Sequence, residues 1–189
     1  ESDMSGTRQL DVLMYDVPEF HPAIDPHKNQ HGLLILKLRG GNPFWYETAA
    51  TASGWHEDSV AGDGTVTVTN PTDRIMHHKW ILTVGTYTLP DHQWVGAPGA
   101  RTPGGAFGSR TIADIEVTSA NGGAVVDLDR ENLMFRDGND TNILAQLAGK
   151  IFAFPIPPYT PATDLAVTGD GMARLVMPRR WSRPWGMAE

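Results

Sequence analysis

Three histidines and an aspartate stand close together near the N-terminus, and imidazole and carboxylate groups are the usual ligands of zinc. They are His21, Asp25, His27 and His31. Their spacing matches no established zinc signature, and an extended loop with Pro22 and Pro26 does not force these side chains to converge. We therefore expect a structural or interface role for them.

Two adjacent histidines, His77 and His78, form a second group that could bind a metal. Neighbouring residues on a regular strand point to opposite faces of the sheet, so this pair cannot chelate one ion. The densest acidic region lies further along and could favour calcium: Asp127, Asp129, Glu131, Asp137 and Asp140. It lacks the glycine and the closing glutamate of the 12-residue calcium loop. We predict solvated turns and no metal, with a loose surface Ca²⁺ site as the lesser alternative.

Hydrolysis needs two carboxylates that face each other, or a nucleophile beside a base. The chain contains no Gly-x-Ser-x-Gly, no phosphate-binding Gly-x-x-x-x-Gly-Lys-Ser/Thr and no His-Glu-x-x-His. The stretch Gly104-Gly105-Ala106-Phe107-Gly108 has no helix pattern after it and is typical of a flexible loop. We predict no catalytic residues and no cofactor, and a hydrolase domain is the third choice of function.

Tryptophan side chains could stack on sugar rings, but they also fill cores and anchor interfaces. The relevant residues are Trp55, Trp80, Trp94, Trp181 and Trp185. Trp80 lies within a strand pattern and is expected in the core, whereas Trp94 follows a turn and is the better candidate for exposure. No pattern places these rings along one face, so a carbohydrate-binding module is the second choice of function.

The C-terminal segment differs in composition from the rest of the acidic chain. After Pro178 it places three arginines and two tryptophans, with Pro184 among them: Arg179, Arg180, Trp181, Arg183 and Trp185. Arginine and tryptophan dominate protein–protein interfaces, and a guanidinium stacks well on an indole ring. We predict that residues 179–189 form an extended arm that contacts other subunits; a frayed basic tail is the alternative.

Composition favours a turn-rich β protein. The chain has 189 residues, no cysteine, 20 glycines, 14 prolines and a formal net charge of -7. The absence of cysteine excludes disulfide scaffolds and thiol chemistry. The negative charge argues against nucleic acid as a partner, and no apolar run reaches the roughly 20 residues that a membrane-spanning helix needs.

Period-two alternation is the clearest structural signal, and its best instance is Thr65-Val66-Thr67-Val68-Thr69. Similar runs predict further strands at Lys79–Val84, Thr86–Leu89, Ile112–Val117, Ala124–Leu128, Asn132–Phe135, Ile151–Phe154, Leu165–Val167 and Ala173–Met177. One short helix is predicted near Asn142–Ala148, with Gly149 as its stop. Loops are predicted at Pro18–Gln30, Gly96–Ser109 and Pro155–Thr163. We predict an all-β fold, an antiparallel β-sandwich with one short helix.

A domain junction is predicted where the β-prone run Leu33–Leu38 ends. A double glycine follows, and then the aromatic segment Pro43, Phe44, Trp45 and Tyr46. The run is apolar on both faces and needs cover. We therefore expect residues 1–47 to be the end of an upstream β domain with its linker, and residues 48–178 to be the sandwich.

The order of these motifs along the chain resembles that in the distal or minor tail proteins of siphophages. The motifs are, in order, the aromatic junction segment, the Gly64–Asp73 strand and turn, the Gly123–Asp129 hairpin, the Asp137-Gly138 turn and the terminal Arg180-Trp181. The resemblance spans about Leu33 to Trp185. In that family a belt domain precedes a galectin-like domain, so the resemblance implies a galectin-like or jelly-roll sandwich. Pro155–Pro161 departs from the simpler turn of that family.

The resemblance further implies a non-enzymatic virion protein that forms a homo-oligomeric ring, a hexamer, at the tail tip. Such a ring connects the tail tube to other tail-tip proteins of the baseplate hub. The subunit would be soluble in the host cytoplasm until assembly. A galectin-like fold does not by itself transfer sugar binding.

Overall fold

The structure is a computed structural model and describes residues 7–20, 28, 33–51 and 53–184. Within these residues the regular structure is antiparallel β with two short 3-10 helices, so the all-β prediction is confirmed. No helix in this described part of the chain is long and apolar enough to cross a membrane.

Five two-residue strands precede the sandwich: β1 (Leu13–Met14), β2 (Glu19–Phe20), β3 (Leu34–Ile35), β4 (Leu38–Arg39) and β5 (Trp45–Tyr46). The sandwich strands are β6 (His56–Ala61), β7 (Gly64–Asn70), β8 (Lys79–Leu82), β9 (Gly85–Pro90), β12 (Thr111–Val117), β13 (Ala124–Asp127), β14 (Phe135–Asp137), β15 (Thr160–Gly169) and β16 (Met172–Met177). A small hairpin, β10 (Trp94–Val95) with β11 (Thr102–Pro103), and the terminal β17 (Arg180–Trp181) complete the strands.

Two antiparallel sheets face each other in the sandwich. One has four strands in the order β12-β9-β15-β7, and the other has five in the order β14-β13-β8-β16-β6. The alternation predicted for β7 is observed, because Val66 and Val68 point inward with no exposed surface while Thr65 and Thr67 are exposed. Trp80 and Leu175 of the opposite sheet are also fully buried. The apolar residues of both inner faces therefore make one shared core.

Several local predictions differ from the structure. β6 was not predicted, because its sequence His56-Glu57-Asp58-Ser59-Val60-Ala61 is too polar to show an apolar face. The predicted strand Asn132–Phe135 begins only at Phe135, and residues 151–154 form no strand although Phe152 is buried. The segment predicted as a loop up to Thr163 already enters β15 at Thr160.

The predicted helix is one turn of 3-10 helix, Leu144–Leu147, rather than about two turns. It ends because Ala148 and Gly149 have φ angles of 50° and 83° in the left-handed region. A second 3-10 helix, Ser119–Asn121, was not predicted from the sequence.

Strands β1 to β4 form a ribbon of two antiparallel chain segments outside the sandwich. β1 and β2 lie on one segment, and β3 and β4 lie on the other. β1 pairs with β4, with Met14 opposite Leu38, and β2 pairs with β3, with Phe20 opposite Leu34. The predicted strand Leu33–Leu38 is thus the returning half of this ribbon, divided between β3 and the start of β4.

Candidate functional site

The ribbon exposes one face made of apolar side chains alone. Its residues are even-numbered positions of both segments, and the register changes between β1 and β2 at the bend of Asp16, whose carboxylate turns to Lys37. They are Val12, Met14, Phe20, Leu34, Leu36 and Leu38, each between 40% and 60% exposed. We call this set the apolar face.

The opposite side of the ribbon is mixed and carries its own ion pairs. Lys37 donates to Glu19 at 2.5 Å and to Asp16 at 3.2 Å, and these bonds raise the pKa of Lys37. The guanidinium of Arg39 lies 6.0 Å from the ring of Tyr15. Lys37 therefore pairs with two carboxylates of the ribbon, and the six residues of the apolar face carry no charge.

No third strand pairs with the ribbon in the described ranges, so the outer backbone edges of both strands are open. The sandwich protects comparable edges: Asp58 accepts the backbone N–H of Thr67, and Lys150 donates to the carbonyl of Ala113 at the β12 bulge. An open edge beside an apolar face is the arrangement that monomeric proteins avoid.

The predicted junction residues lie at the base of the ribbon. Trp45 and Tyr46 form β5, and the Tyr46 backbone exchanges two 2.9 Å hydrogen bonds with Gln9. The Tyr46 hydroxyl donates to Asp11 at 2.9 Å, which raises the pKa of Tyr46. Phe44 lies under the guanidinium of Arg74 at 4.2 Å. Pro43 precedes these contacts and is exposed.

The predicted arm pairs with the junction within the same chain. β17 aligns with β5, with Trp181 opposite Trp45 and Arg180 opposite Tyr46. Arg179, Arg180 and Trp181 are half-buried, whereas Arg183 is exposed. Trp185 lies outside the described residues. Whether these residues also contact other subunits stays a prediction.

The other residues singled out from the sequence serve local structure or lie outside the described ranges. Trp94 is half-buried in the β10–β11 hairpin and packs against the core. His78 is buried, and its ring lies 6.1 Å from that of Trp80. The group His21, Asp25, His27 and His31 falls outside the described residues.

The acidic region is used by turns and ion pairs. Asp127 is buried, binds Lys79 at 2.8 Å and accepts the backbone N–H of Asp129. Asp137 accepts the backbone N–H groups of Asn139 and Thr141. Across the described ranges, no three His, Asp or Glu side chains come together as a metal site would require.

Sequence reasoning missed the partners of the junction: Arg8, Asp11 and Asp73. Each is a single charged residue far along the chain from the group that it contacts, as with Arg8 and the Arg183 carbonyl, 175 positions apart. No local pattern could have indicated these contacts.

The sequence resembles two curated phage proteins over almost its whole length. It is 25% identical to minor tail protein Gp27 of Mycobacterium phage D29, over 228 aligned residues that cover 97% of this chain and 68% of the relative. The corresponding protein of Mycobacterium phage L5 is 22% identical with the same coverage. No protein-family model matches the chain.

Among solved structures, the SPP1 Dit (gp 19.1) protein, titled a paradigm of the hub adsorption apparatus in phages that infect Gram-positive bacteria, overlaps with a TM-score of 0.43 at 10% identity. The overlap covers 88% of this chain and 58% of that protein, and a TM-score this low carries no argument. The similarity to the two curated relatives, on an all-β fold, supports the recognition of this chain as a phage minor tail protein.

Proposed function

We propose that the chain is a structural, non-enzymatic subunit of a phage tail tip. It assembles with copies of itself into a ring, six copies by family resemblance, that joins the tail tube to other tail-tip proteins. Its place is then the virion, after a soluble stage in the host cytoplasm. The observation that carries this proposal is the apolar face of the ribbon.

The apolar face has a size that favours an interface. Full burial of one large aliphatic or aromatic side chain is worth about 1.5–3 kcal/mol. Each of the six residues leaves about half of its surface in water. Covering the face therefore offers several kcal/mol, on the order of what a specific contact needs beyond the cost of association.

A copy of the same chain is a suitable partner for this face. The protein has a formal net charge of -7, so copies carry net charge of the same sign and repel each other, but the six residues of the apolar face carry no charge. The face is on the ribbon and away from the sandwich, so a ribbon that packs on the next subunit makes a head-to-tail contact. Repeated contacts of this type close into a ring when the rotation between successive subunits closes, and otherwise extend as a filament.

The alternatives find less support in the described residues. A carbohydrate module would need aromatic rings in an exposed row, and Trp94 packs against the core. A hydrolase would need unsatisfied carboxylates in a cleft, and the buried Asp91 and Asp127 are each used by an ion pair and backbone N–H groups. We retain the division into residues 1–47, 48–178 and 179–189 as a proposal.

The test is to place a charge on the apolar face. In Leu36→Glu the new carboxylate would be desolvated by assembly, so the variant should remain monomeric at concentrations where the unmodified chain forms a ring. Sedimentation velocity measures the difference. Ile151→Glu is the matched control, because Ile151 is 51% exposed on the sandwich against 49% for Leu36.

The control should assemble like the unmodified chain. If Leu36→Glu assembles at the same concentration as the unmodified chain, the result contradicts a role for the apolar face. A chain that stays monomeric at all concentrations would contradict self-assembly itself.

A further inference from the structure

The two ends of the described chain meet at the base of the ribbon. Gln9 bridges one edge of β5, and β17 pairs with the other edge. The guanidinium of Arg8 stacks over the ring of Trp181 at 3.5 Å and donates to the carbonyl of Arg183 at 2.9 Å. A small three-stranded unit thus holds both ends together.

The same unit is fastened to the sandwich by polar contacts. Asp73, which follows β7, accepts the backbone N–H of Ser182 at 3.0 Å and also bonds its hydroxyl. Arg180 pairs with Asp129 at 3.2 Å. Burial opposes ionisation of Asp129, but the backbone N–H of Glu131 and the charge of Arg180 lower its pKa. β17 is therefore fixed to the sandwich at two separate points.

A third group of charges lies just beyond β5. Glu47 is 3.5 Å from Arg179 and 3.4 Å from His56, and its backbone N–H donates to the Arg179 carbonyl. His56 begins β6, so this group connects the junction to the edge of the five-stranded sheet. Burial and the charge of Arg179 lower the pKa of His56, against the opposing effect of Glu47.

We propose that β17, together with Arg8, is an intramolecular clasp that fixes the ribbon to the sandwich. The chain leaves the junction through Asp11 and returns through Gly40, so the direction of the ribbon is set where Gln9 and β5 are held. Closing the clasp therefore sets the direction in which the apolar face is presented. That consequence for assembly rests on the proposed function, whereas the clasp itself does not. The clasp gives Arg180 and Trp181 a role within one chain.

Amide hydrogen exchange of the full chain tests the clasp directly. In Trp181→Ala the Arg8 guanidinium loses the indole ring on which it stacks, and β17 loses its largest side chain. Exchange at the Gln9, Tyr46 and Glu47 amides should rise at least tenfold, because their hydrogen bonds open locally. Amides of β8 and β16 in the sandwich should keep their exchange rates. Arg183→Ala is the matched control, since it removes an exposed cation and keeps the carbonyl that Arg8 uses.

A second variant keeps the test valid if Trp181→Ala fails to fold. Arg8→Ala breaks the same contact from the other side and should raise exchange at the same three amides. Unchanged exchange in Arg8→Ala would overturn the proposal. Protection of these amides that disappears on dilution of the unmodified chain would also overturn it, because β17 would then be held by another subunit. If exchange at the three amides rises in both variants while rings still form, the result supports the clasp and contradicts only its role in assembly.

Discussion

Individual polar residues in this protein are placed to satisfy backbone groups. Asn70 has no exposed surface, and the two N–H groups of its side-chain amide are shared among three carbonyls within 3.1 Å, those of Arg74, Ile156 and Pro157. Its own oxygen accepts from the backbone and hydroxyl of Thr72. One side chain therefore replaces several ladder hydrogen bonds where the proline-rich segment cannot supply them.

His78 gives a prediction at the residue scale. Burial, with a smaller effect from the charge of His77, lowers its pKa from 6.5 to about 3. The unfolded chain binds this proton below pH 6.5 and the folded chain does not, so stability is lost as the pH falls from 6.5 towards 3. At pH 5 the loss is about 2 kcal/mol. His78→Phe should remove this part of the pH dependence while it keeps an aromatic ring beside Trp80.

Urea denaturation at pH 7 and pH 5 measures the effect. The difference in unfolding free energy between the two pH values should be smaller in His78→Phe than in the unmodified chain. An equal difference in both proteins would mean that other groups cause the acid sensitivity.

A strand could be predicted from the sequence when its own residues alternate between apolar and polar. β7 was predictable because its valines and threonines alternate, and the turn residues on both sides mark its ends. β6 was not, because an edge strand with charged residues on both faces resembles a loop. The ribbon strand was predictable from its leucines, but its pairing with β1 and β2 was not, since strand pairing is not encoded in local pattern.

Residues 151–156 show how a side chain can replace a strand partner. Asp91 is 1% exposed and accepts the N–H groups of Ala153 and Phe154, each at 3.0 Å. It also pairs with Arg110 at 2.6 Å. These bonds explain why the β-prone run Ile151–Phe154 lies against the sandwich without joining a sheet.

Removal of this carboxylate gives the prediction at the element scale. Asp91→Ala removes a fully buried carboxylate and leaves two backbone N–H groups and a partly buried guanidinium without their acceptor, so the free energy of unfolding should fall by about 3 kcal/mol. Asp16→Ala is the control: it also removes a carboxylate paired with a cation, but this one is 51% exposed, and the change should stay within about 1 kcal/mol. Guanidinium denaturation followed by tryptophan fluorescence compares them. Equal losses in both variants would contradict the account.

At the scale of the whole molecule, the buried core and the largest group of exposed apolar side chains lie in different parts of the described chain. The buried core runs from Val66 to Met177 and contains no residue of the ribbon. The ribbon instead holds the largest group of exposed apolar side chains in the described residues. The double glycine and the aromatic segment predict a domain boundary after the ribbon, and that boundary stays a prediction. The sequence could not show that the C-terminus returns to the junction, because that contact joins positions far apart in the chain.

Excision of the ribbon tests the proposal that assembly, but not stability, depends on the ribbon. The two ends of the ribbon are adjacent: a Cβ placed on Gly40 would lie 3.5 Å from the Asp11 carbonyl oxygen. A flexible linker of about four residues in place of residues 12–39 would therefore span the gap at little entropic cost. We expect the shortened chain to unfold within a few degrees of the unmodified monomer, since no core residue is lost, and to form no ring at any concentration. Calorimetry and sedimentation velocity measure the two properties separately. A shortened chain that still assembles would place the subunit contact on the sandwich, and one that fails to fold would show that the ribbon contributes to the core.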